Sequence, residues 1–529
     1  MITQDDIVYF VMTDRFVDGD TANNALIDKT LPKKRHGGDL AGIQSKFDYL
    51  EHLGVTALWI TPVYLNIPGL KDQNTGDPVA IQPYHGYWPK DFERMDDHLY
   101  SPDGRYPTGD KRYLKDFVDA CHARGLKVIL DVVVNHTGYT DGQPIFDASW
   151  YKNDGDSDFS GLPKLDLGNS SVVDYFVNNL IDWIATSGID GLRMDMAKSI
   201  GGYSHNGETP VHNPEFNKFW YFYKSIIKGR FPNLFIVGEV LATSSGDVDE
   251  NATFQNQSDL NSIFDFPLRD AIKNVIVYDH SFREIARPRL SSQEPPGILD
   301  LDDPSNGGYY TNSNRLVTLL DNHDLSRRII SEIRTKFTGD DKKAFAFQLA
   351  KMLYAFLFTV RGIQQIYYGS ELGLEGWKTD NDDSDLRRDF PWAMIDGGNE
   401  VAAASFPLEA DLNRTIRQLI HFRKSNDALK YGVTITLWVD DLVYAFLRYF
   451  RSEVVIAVFN NGYADMPSPL LIPIGAAADK DKQPLPDRII QLLRQTPLHD
   501  IDNPSDTYLV TNGVLSVSVR GKSYKILSY

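Results

Sequence analysis

The chain of 529 residues is 42% hydrophobic and 24% charged, an ordinary soluble composition long enough for two or three domains. Its 54 basic and 72 acidic residues leave a net charge of −18, which argues against nucleic acid or an anionic membrane as the main partner. No stretch is apolar for long enough to span a bilayer, and a single cysteine, Cys121, excludes internal disulfides.

The N-terminal run MITQDDIVYFVMTDRF has no basic leader and no long apolar segment, so no signal peptide is visible. Localisation stays open between the cytoplasm and a processed secreted or periplasmic form. Strand signals follow at Ile7–Phe10, Ala57–Ile60, Val128–Val134, Gly191–Met194, Phe235–Gly238, Ser262–Phe266, Leu316–Leu320 and Gln365–Tyr368. Amphipathic helices lie between them. DLAGIQSKFDYLEHLG places Leu40, Ile43, Phe47 and Leu50 on one face, and KRYLKDFVDACHARG places Leu114, Phe117, Val118 and Cys121 together. SVVDYFVNNLIDWIATSG and NPEFNKFWYFYKSIIKGRFPN repeat the pattern before the next two strands.

Eight strands alternating with helices predict an α/β fold, a (β/α)8 TIM barrel over roughly the first 430 residues. A doubly wound sheet is the rival, but no G-x-G-x-x-G turn follows the first strand. The barrel is expected to comprise 1–136 and 171–430, interrupted after the third strand by a small lobe at 137–170. From 431 to 529 the pattern changes to short alternating segments (LVYAFLRYF, VVIAVFN, GVLSVSV, SYKILSY) that predict a C-terminal antiparallel β-sandwich.

Four strings carry the chemistry: DVVVNH (Asp131–His136), GLRMDMAKS (Gly191–Ser199), FIVGEV (Phe235–Val240) and LLDNHD (Leu319–Asp324). Each is an apolar run ending in acidic or imidazole side chains, so parallel strands would deliver them to one rim. In GLRMD, Arg193 and Asp195 share a face, and an adjacent arginine is expected to lower the aspartate's pKa and keep it ionised. A held carboxylate of that kind suits a glycosidic nucleophile. Glu239 ends an apolar strand, an environment that raises a carboxyl pKa and suits a general acid. Asp324 beside His323 supplies a third acid. Each carboxylate alone reads more readily as a cap or loop residue. Three on separate strands, with Arg193, His136 and His323 alongside, form a set.

With these motifs the chain resembles the α-amylase family of retaining glycoside hydrolases and transglycosylases, closest in motifs to cyclodextrin- and maltodextrin-acting members. The resemblance spans barrel, inserted lobe and sandwich. It implies Asp195 as nucleophile, Glu239 as acid/base and Asp324 as the residue that binds sugar hydroxyls and stabilises the transition state. It places Arg193, His136, His323, Lys198, His85 and Tyr87 around the substrate, the last two from the YHGYW loop. It assigns Asp383 and Arg387, in DSDLRRDFPW, to the next sugar, against a plain surface-loop reading. For retention the two reacting carboxyls would stand about 5–5.5 Å apart.

The resemblance also implies calcium. DGDTANN and GGD match an N-terminal calcium loop with Asp18, Asp20, Asn23, Asn24, Gly37 and Asp39 as ligands, a solvated turn being the rival. A second site would use Asn135 and Asp166, although Ser199 stands where many members have histidine. Hydrolysis of α-1,4-glucans is expected over transfer, because Val240 and Leu241 follow Glu239 and LPKLD (Leu162–Asp166) contributes no ring. A 4-α-glucanotransferase or cyclodextrin glucanotransferase is the alternative, and a non-catalytic glucan-binding protein ranks below it. A phosphate-handling barrel is disfavoured, since YYGSELG has no basic partner close by. An α-glucan substrate and a monomer are expected.

Overall fold

The computed structural model describes residues 1–71, 77, 79–139, 144–152, 161–198, 200, 219–241, 252, 255, 260–287, 297–302, 310, 312–379, 382–474 and 485–529. The eight expected barrel strands all form: β1 (Ile7–Val11), β2 (Ala57–Ile60), β5 (Lys127–Val132), β6 (Gly191–Met194), β7 (Phe235–Gly238), β8 (Ser262–Ile263), β9 (Val317–Thr318) and β10 (Ile363–Tyr367). Between β2 and β5 the chain makes a two-stranded antiparallel excursion, β3 (Tyr64–Asn66) against β4 (Pro89–Met95), that the sequence pattern does not announce.

The barrel sheet runs β8-β7-β6-β5-β2-β1-β10-β9 with every pair parallel. A parallel bridge from Phe264 to Val317 joins the two ends, so the ring is closed. All four residues of β2, β6 and β7 are buried, as expected of strands with a packed interior on one side and helices on the other. Three strands are shorter than the sequence predicts: Val128–Val134 becomes Lys127–Val132, and two others contract further. Ser262–Phe266 stops at Ile263 because Asp265 turns to cap the helix Phe266–Tyr278, its Oδ1 accepting from Leu268 N at 3.2 Å. Leu316–Leu320 contracts to Val317–Thr318, after which the chain opens into the LLDNHD loop.

The helix holding Cys121 covers Arg112–Ala123 and buries Tyr113, Leu114, Phe117, Val118 and Cys121. Cys121 is therefore core, and burial pushes its thiol well above the usual range. Of the expected helix before β7, Asn213–Lys218 lie outside the described residues; Tyr223–Lys228 form a π-helical turn. In the lobe interval, the described parts fold back on the β5 loop through the bridge His136–Lys164 and on themselves through Tyr151–Leu165. Residues 140–143 and 153–160 of that interval lie outside the described residues.

The C-terminal strands form a six-stranded and a three-stranded antiparallel sheet, with a helix, Asp487–Gln495, that the sequence pattern did not announce. Alternation along Val443–Phe450 decides which layer each residue enters. Tyr444 and Phe446 join the barrel core, whereas Ala445 and Leu447 join the sandwich's own core. Phe356 of the barrel meets Tyr444, Phe446 and Phe459 across this seam. Burying each such ring contributes about 1.5–3 kcal/mol. Among the described residues no helix is long and apolar enough to cross a membrane.

Candidate active site

Parallel strands place their C-terminal ends on one rim, and the chemistry-bearing strings all end there. The register aligns Asp131 of β5, Arg193 of β6 and Val237 of β7 as lateral neighbours. Arg193 is thereby held inside the ring, 0% exposed. Its Nη1 donates to Asp131 Oδ1 at 2.9 Å and to Asp195 Oδ1 at 2.7 Å. Its Nη2 lies in ion-pair contact with Glu239 Oε2 at 2.8 Å. One guanidinium thus joins three carboxylates, two of which are the expected nucleophile and acid/base.

Two backbone features set the approach of Glu239. Gly238 precedes it at a point where a Cβ would come within 2.5 Å of Leu260 Cδ1 and 3.1 Å of Ala197 Cβ, so any larger residue would have to displace the Leu260 side chain. Met196, directly after Asp195, has φ +46° without being glycine, and its N–H donates to Glu239 Oε2 at 2.9 Å.

The rest of the rim converges on the same place. Tyr87 donates its hydroxyl to Asp131 Oδ2 at 2.6 Å, and its ring stacks on His323 at 5.4 Å and 13°. His85 stacks on Tyr87 at 5.6 Å and its Nδ1 accepts Tyr87 N–H at 3.0 Å. His136 Nε2 lies 3.1 Å from the Tyr87 carbonyl. His323 Nε2 stands 2.9 Å from Asp324 Oδ2. Arg387 ties Asp324 to the loop after β10: its Nη2 is 2.9 Å from Asp324 Oδ1 and 2.8 Å from Asp383 Oδ2. Tyr84 donates its hydroxyl to Asp383 Oδ1 at 3.3 Å. Lys198 joins through its backbone, N–H to the Glu239 carbonyl at 3.2 Å.

Sequence reasoning passed over Asp131. It lies inside an apolar run, yet it is the common acceptor for Arg193, Tyr87 and Trp59, whose Nε1 donates to Oδ2 at 3.0 Å. Alternation along DVVVNH gives the face of Asp131, but only the register of β5 against β6 sets it beside Arg193.

The electrostatics correct one expectation. Arg193 does pull on Asp195, but burial outweighs it and pushes the carboxyl up to about 7 rather than down. Burial likewise raises Glu239 to about 7, as expected, and Asp131 to about 6, each against the pull of Arg193. These acids are coupled through one cation, so the cluster retains a proton near neutrality. Arg193 donates to Asp131 and Asp195, and the Met196 N–H donates to Glu239, so each carboxylate keeps a donor for its charged form. Asp324 behaves oppositely. Against the cost of burial, the neighbouring His323, Arg387 and Arg193 hold it well below the usual carboxylate range. Burial lowers His323 to about 4 and holds His85 well below the imidazole range, so both stay neutral near pH 7.

The expected calcium loop follows β1. Asn23 Oδ1 and Asn24 Oδ1 are buried with no hydrogen-bond donor. Gly37 (φ +89°) approaches so closely that a Cβ would meet Asn24 Oδ1 at 2.5 Å and Asp18 Oδ2 at 3.2 Å. The Asn24 amide oxygen and the Asp18 carboxylate around Gly37, with the orphaned Asn23 oxygen in the same loop, are hard-oxygen donors of the type calcium takes. Lys29 now meets Asp18 Oδ2 at 2.9 Å from an exposed position. Asp39 is engaged differently. Its oxygens accept from the backbone of Gly19, Asp20 and Gly42 and from Asn23 Nδ2. Asp20 caps the Thr21–Asn23 turn. Among the described residues no group of three or more His, Cys, Asp or Glu is arranged for a metal, so amide oxygens are essential to this set. At the second expected site, Leu165 N–H donates to the Asn135 carbonyl at 2.9 Å, while the next residue, Asp166, donates its N–H to the Trp150 carbonyl at 2.8 Å. Ser199 lies outside the described residues.

A barrel with three acids and an arginine at its C-terminal rim defines a class of glycoside-processing fold, and comparison with known proteins gives the family. The family model for the alpha-amylase catalytic domain matches residues 10–159 and 143–399, and the chain belongs to the alpha-amylase family. Among curated relatives, it is 29% identical over 86% of its length to the cyclomaltodextrin glucanotransferase of Bacillus licheniformis, covering 59% of that protein. It is 28% identical over the same share to an alpha-amylase of Niallia circulans, covering 80% of it. It spans 33% of the beta/alpha-amylase of Paenibacillus polymyxa, so several relatives extend well beyond the matched region. Among solved structures, an Anoxybacillus alpha-amylase superposes with a TM-score of 0.73 at 24% identity, covering 99% of this chain and 98% of that one, and shares the fold.

Proposed function

We propose that the protein is a retaining α-glucan hydrolase that cleaves α-1,4-glucosidic bonds of starch, malto-oligosaccharides or cyclodextrins. The observation that carries this reading is Arg193 joined at once to Asp131, Asp195 and Glu239 at the barrel rim. Asp195 attacks the anomeric carbon while Glu239 gives its proton to the departing glycosidic oxygen. The glycosyl–Asp195 ester forms as the C1–O bond breaks. Glu239, now ionised, takes a proton from water, whose oxygen attacks C1 and frees Asp195, so the α configuration returns. Asp324, kept ionised and oriented by Arg387, accepts hydrogen bonds from sugar hydroxyls and offsets the positive charge developing at the ring. Tyr87, stacked with His323 and His85, contributes an aromatic ring to the wall of the sugar site.

Hydrolysis is favoured over transfer because the residues after Glu239 are the buried Val240 and the half-exposed Leu241, neither offering a ring to hold an acceptor sugar. We further propose that Asp18, Asn23, Asn24 and Gly37 hold a calcium ion that ties the β1 loop together. Bound there, the ion would supply charge for the orphaned amide oxygens and take no part in bond cleavage.

Product analysis with maltoheptaose, β-cyclodextrin and pullulan tests the reading. Maltose and glucose released initially as α-anomers are expected. A β-anomeric first product overturns retention. Rings or oligosaccharides longer than the substrate, appearing ahead of glucose, replace hydrolysis by transfer.

A further inference from the structure

We propose that Trp377 forms an outlying sugar-binding platform that makes the enzyme favour longer α-glucans over short ones. This rests on the reading of the rim as an α-glucan site. Of the eight tryptophans, Trp377 is the most exposed, at 46%. A large apolar ring left in water on a well-anchored segment calls for a ligand more than an isolated surface leucine does.

Its anchoring ties it to the rim. The segment pairs backbone to backbone with the chain leaving Asp324: Arg328 N–H donates to Gly376 O at 3.0 Å, and Lys378 N–H donates to Ser326 O at 2.8 Å. On the other side, Trp377 N–H donates to Asp385 Oδ2 at 3.0 Å. Arg388, itself ion-paired with Asp385, sets its guanidinium 5.6 Å from the indole centroid. Asp385 and Arg388 belong to the turn that carries Asp383 and Arg387. The Trp377 backbone is thus fastened to both elements that hold Asp324 and its arginine. A chain of contacts runs from Asp324 through Arg387 and Asp383 to the turn whose Asp385 accepts the Trp377 N–H.

The occupant that fits is a glucosyl unit of the same substrate chain. The C–H-rich face of a pyranose packs on an indole, and the ordered backbone underneath means little entropy is lost on binding. A unit on this platform adds binding only when the substrate is long enough to reach it while its scissile bond lies between Asp195 and Glu239.

The test measures kcat/KM for maltotriose through maltoheptaose with wild type, Trp377→Ala and Trp377→Phe. For Trp377→Ala, maltotriose turnover is expected to be unchanged, while kcat/KM on the longest substrate falls about five- to tenfold, mostly in KM. Trp377→Phe should recover most of the loss. A ratio of variant to wild type that is flat across chain lengths overturns the inference, whether the ratio is one or well below it. Titration of maltoheptaose into Asp195→Asn and Asp195→Asn/Trp377→Ala, each checked by thermal melting, separates binding from turnover. Equal affinity in the two overturns the inference as well. Wild type that cleaves none of these sugars removes the functional reading itself, a different outcome from an active wild type with an unaltered length profile.

Discussion

Two buried arginines, one at the barrel rim and one at the barrel–sandwich seam, solve the same physical problem in opposite ways. Arg193 and Arg423 are 0% and 1% exposed. Arg193 is surrounded by carboxylates, which raise its pKa well above the usual value despite burial. Arg423 meets no carboxylate within ion-pair distance among the described residues. It donates to the carbonyls of Phe358, Val360 and Gly362 at 3.1, 2.8 and 2.7 Å, around the C-terminus of the helix Lys343–Thr359. Burial and the neighbouring Arg448 pull it well below its usual pKa. Helix-end carbonyls satisfy a cation but hold no proton, so the seam is chemically inert. Carboxylates around a shared cation exchange protons, so the rim is reactive. Burial is common to both, and the difference lies in what answers the charge.

Breaking the rim therefore abolishes chemistry, whereas breaking the seam lowers only stability. Asp195→Asn, verified free of deamidation, should lower kcat by on the order of 10⁴-fold or more. Arg193→Lys should lower it by on the order of 10³-fold, since an ammonium cannot span Asp131, Asp195 and Glu239 together. Arg423→Met should cost about 2–4 kcal/mol in urea unfolding by leaving helix-end carbonyls unpaired, with kcat per folded molecule within about twofold of wild type. If Arg423→Met lost kcat as Arg193→Lys does, the contrast between the two sites would collapse.

Asp131→Asn sharpens the same contrast. The charge of Asp131 helps to raise Asp195. With that charge gone, Asp195 loses its proton at lower pH, and the acid limb of kcat/KM should move down from its position near 7. Glu239 belongs to the same cluster and its charge acts on Asp131, so the basic limb should move down as well, by less. Activity at the optimum should fall about tenfold as Tyr87 and Arg193 lose their common acceptor. An acid limb that moves upward, or not at all, contradicts the charge assignment.

The calcium loop gives a smaller effect. Chelation should lower the melting temperature by several degrees, and added calcium should restore it. Asn24→Ala, which removes an orphaned amide oxygen, should melt at one temperature with or without the ion. A chelator-insensitive wild type would return the loop to a solvated turn.

How much of this was legible in the sequence depended on where each residue's partner lay. Gly191–Met194 and Phe235–Gly238 form as read, because an apolar run bounded by glycine or a charge specifies a buried strand locally. The three acids were legible because each ends such a run. Asp131 was not, because its meaning lies in the register with Arg193, a neighbour 62 residues away. The pKa of Asp195 was misread for a related reason. The arginine is adjacent in sequence, whereas the burial that outweighs it comes from the closed ring. Trp377 showed no motif, and only its exposure in the fold separates it from the buried tryptophans.

The smallest expected effect concerns Met196, whose left-handed backbone aims its N–H at Glu239. That conformation costs a non-glycine residue roughly 1–2 kcal/mol. Met196→Gly removes the strain but keeps the amide, so kcat should stay within about twofold of wild type. Met196→Val puts a β-branched side chain where φ is positive, which it tolerates worst. The turn should relax towards negative φ, withdraw its N–H from Glu239 and raise that carboxyl's pKa further, since the hydrogen bond favours the charged form. The basic limb of kcat/KM should therefore move to higher pH in Met196→Val and remain in place in Met196→Gly. Identical basic limbs in the two variants would mean that the left-handed turn only connects β6 to the next segment and does not tune the acid.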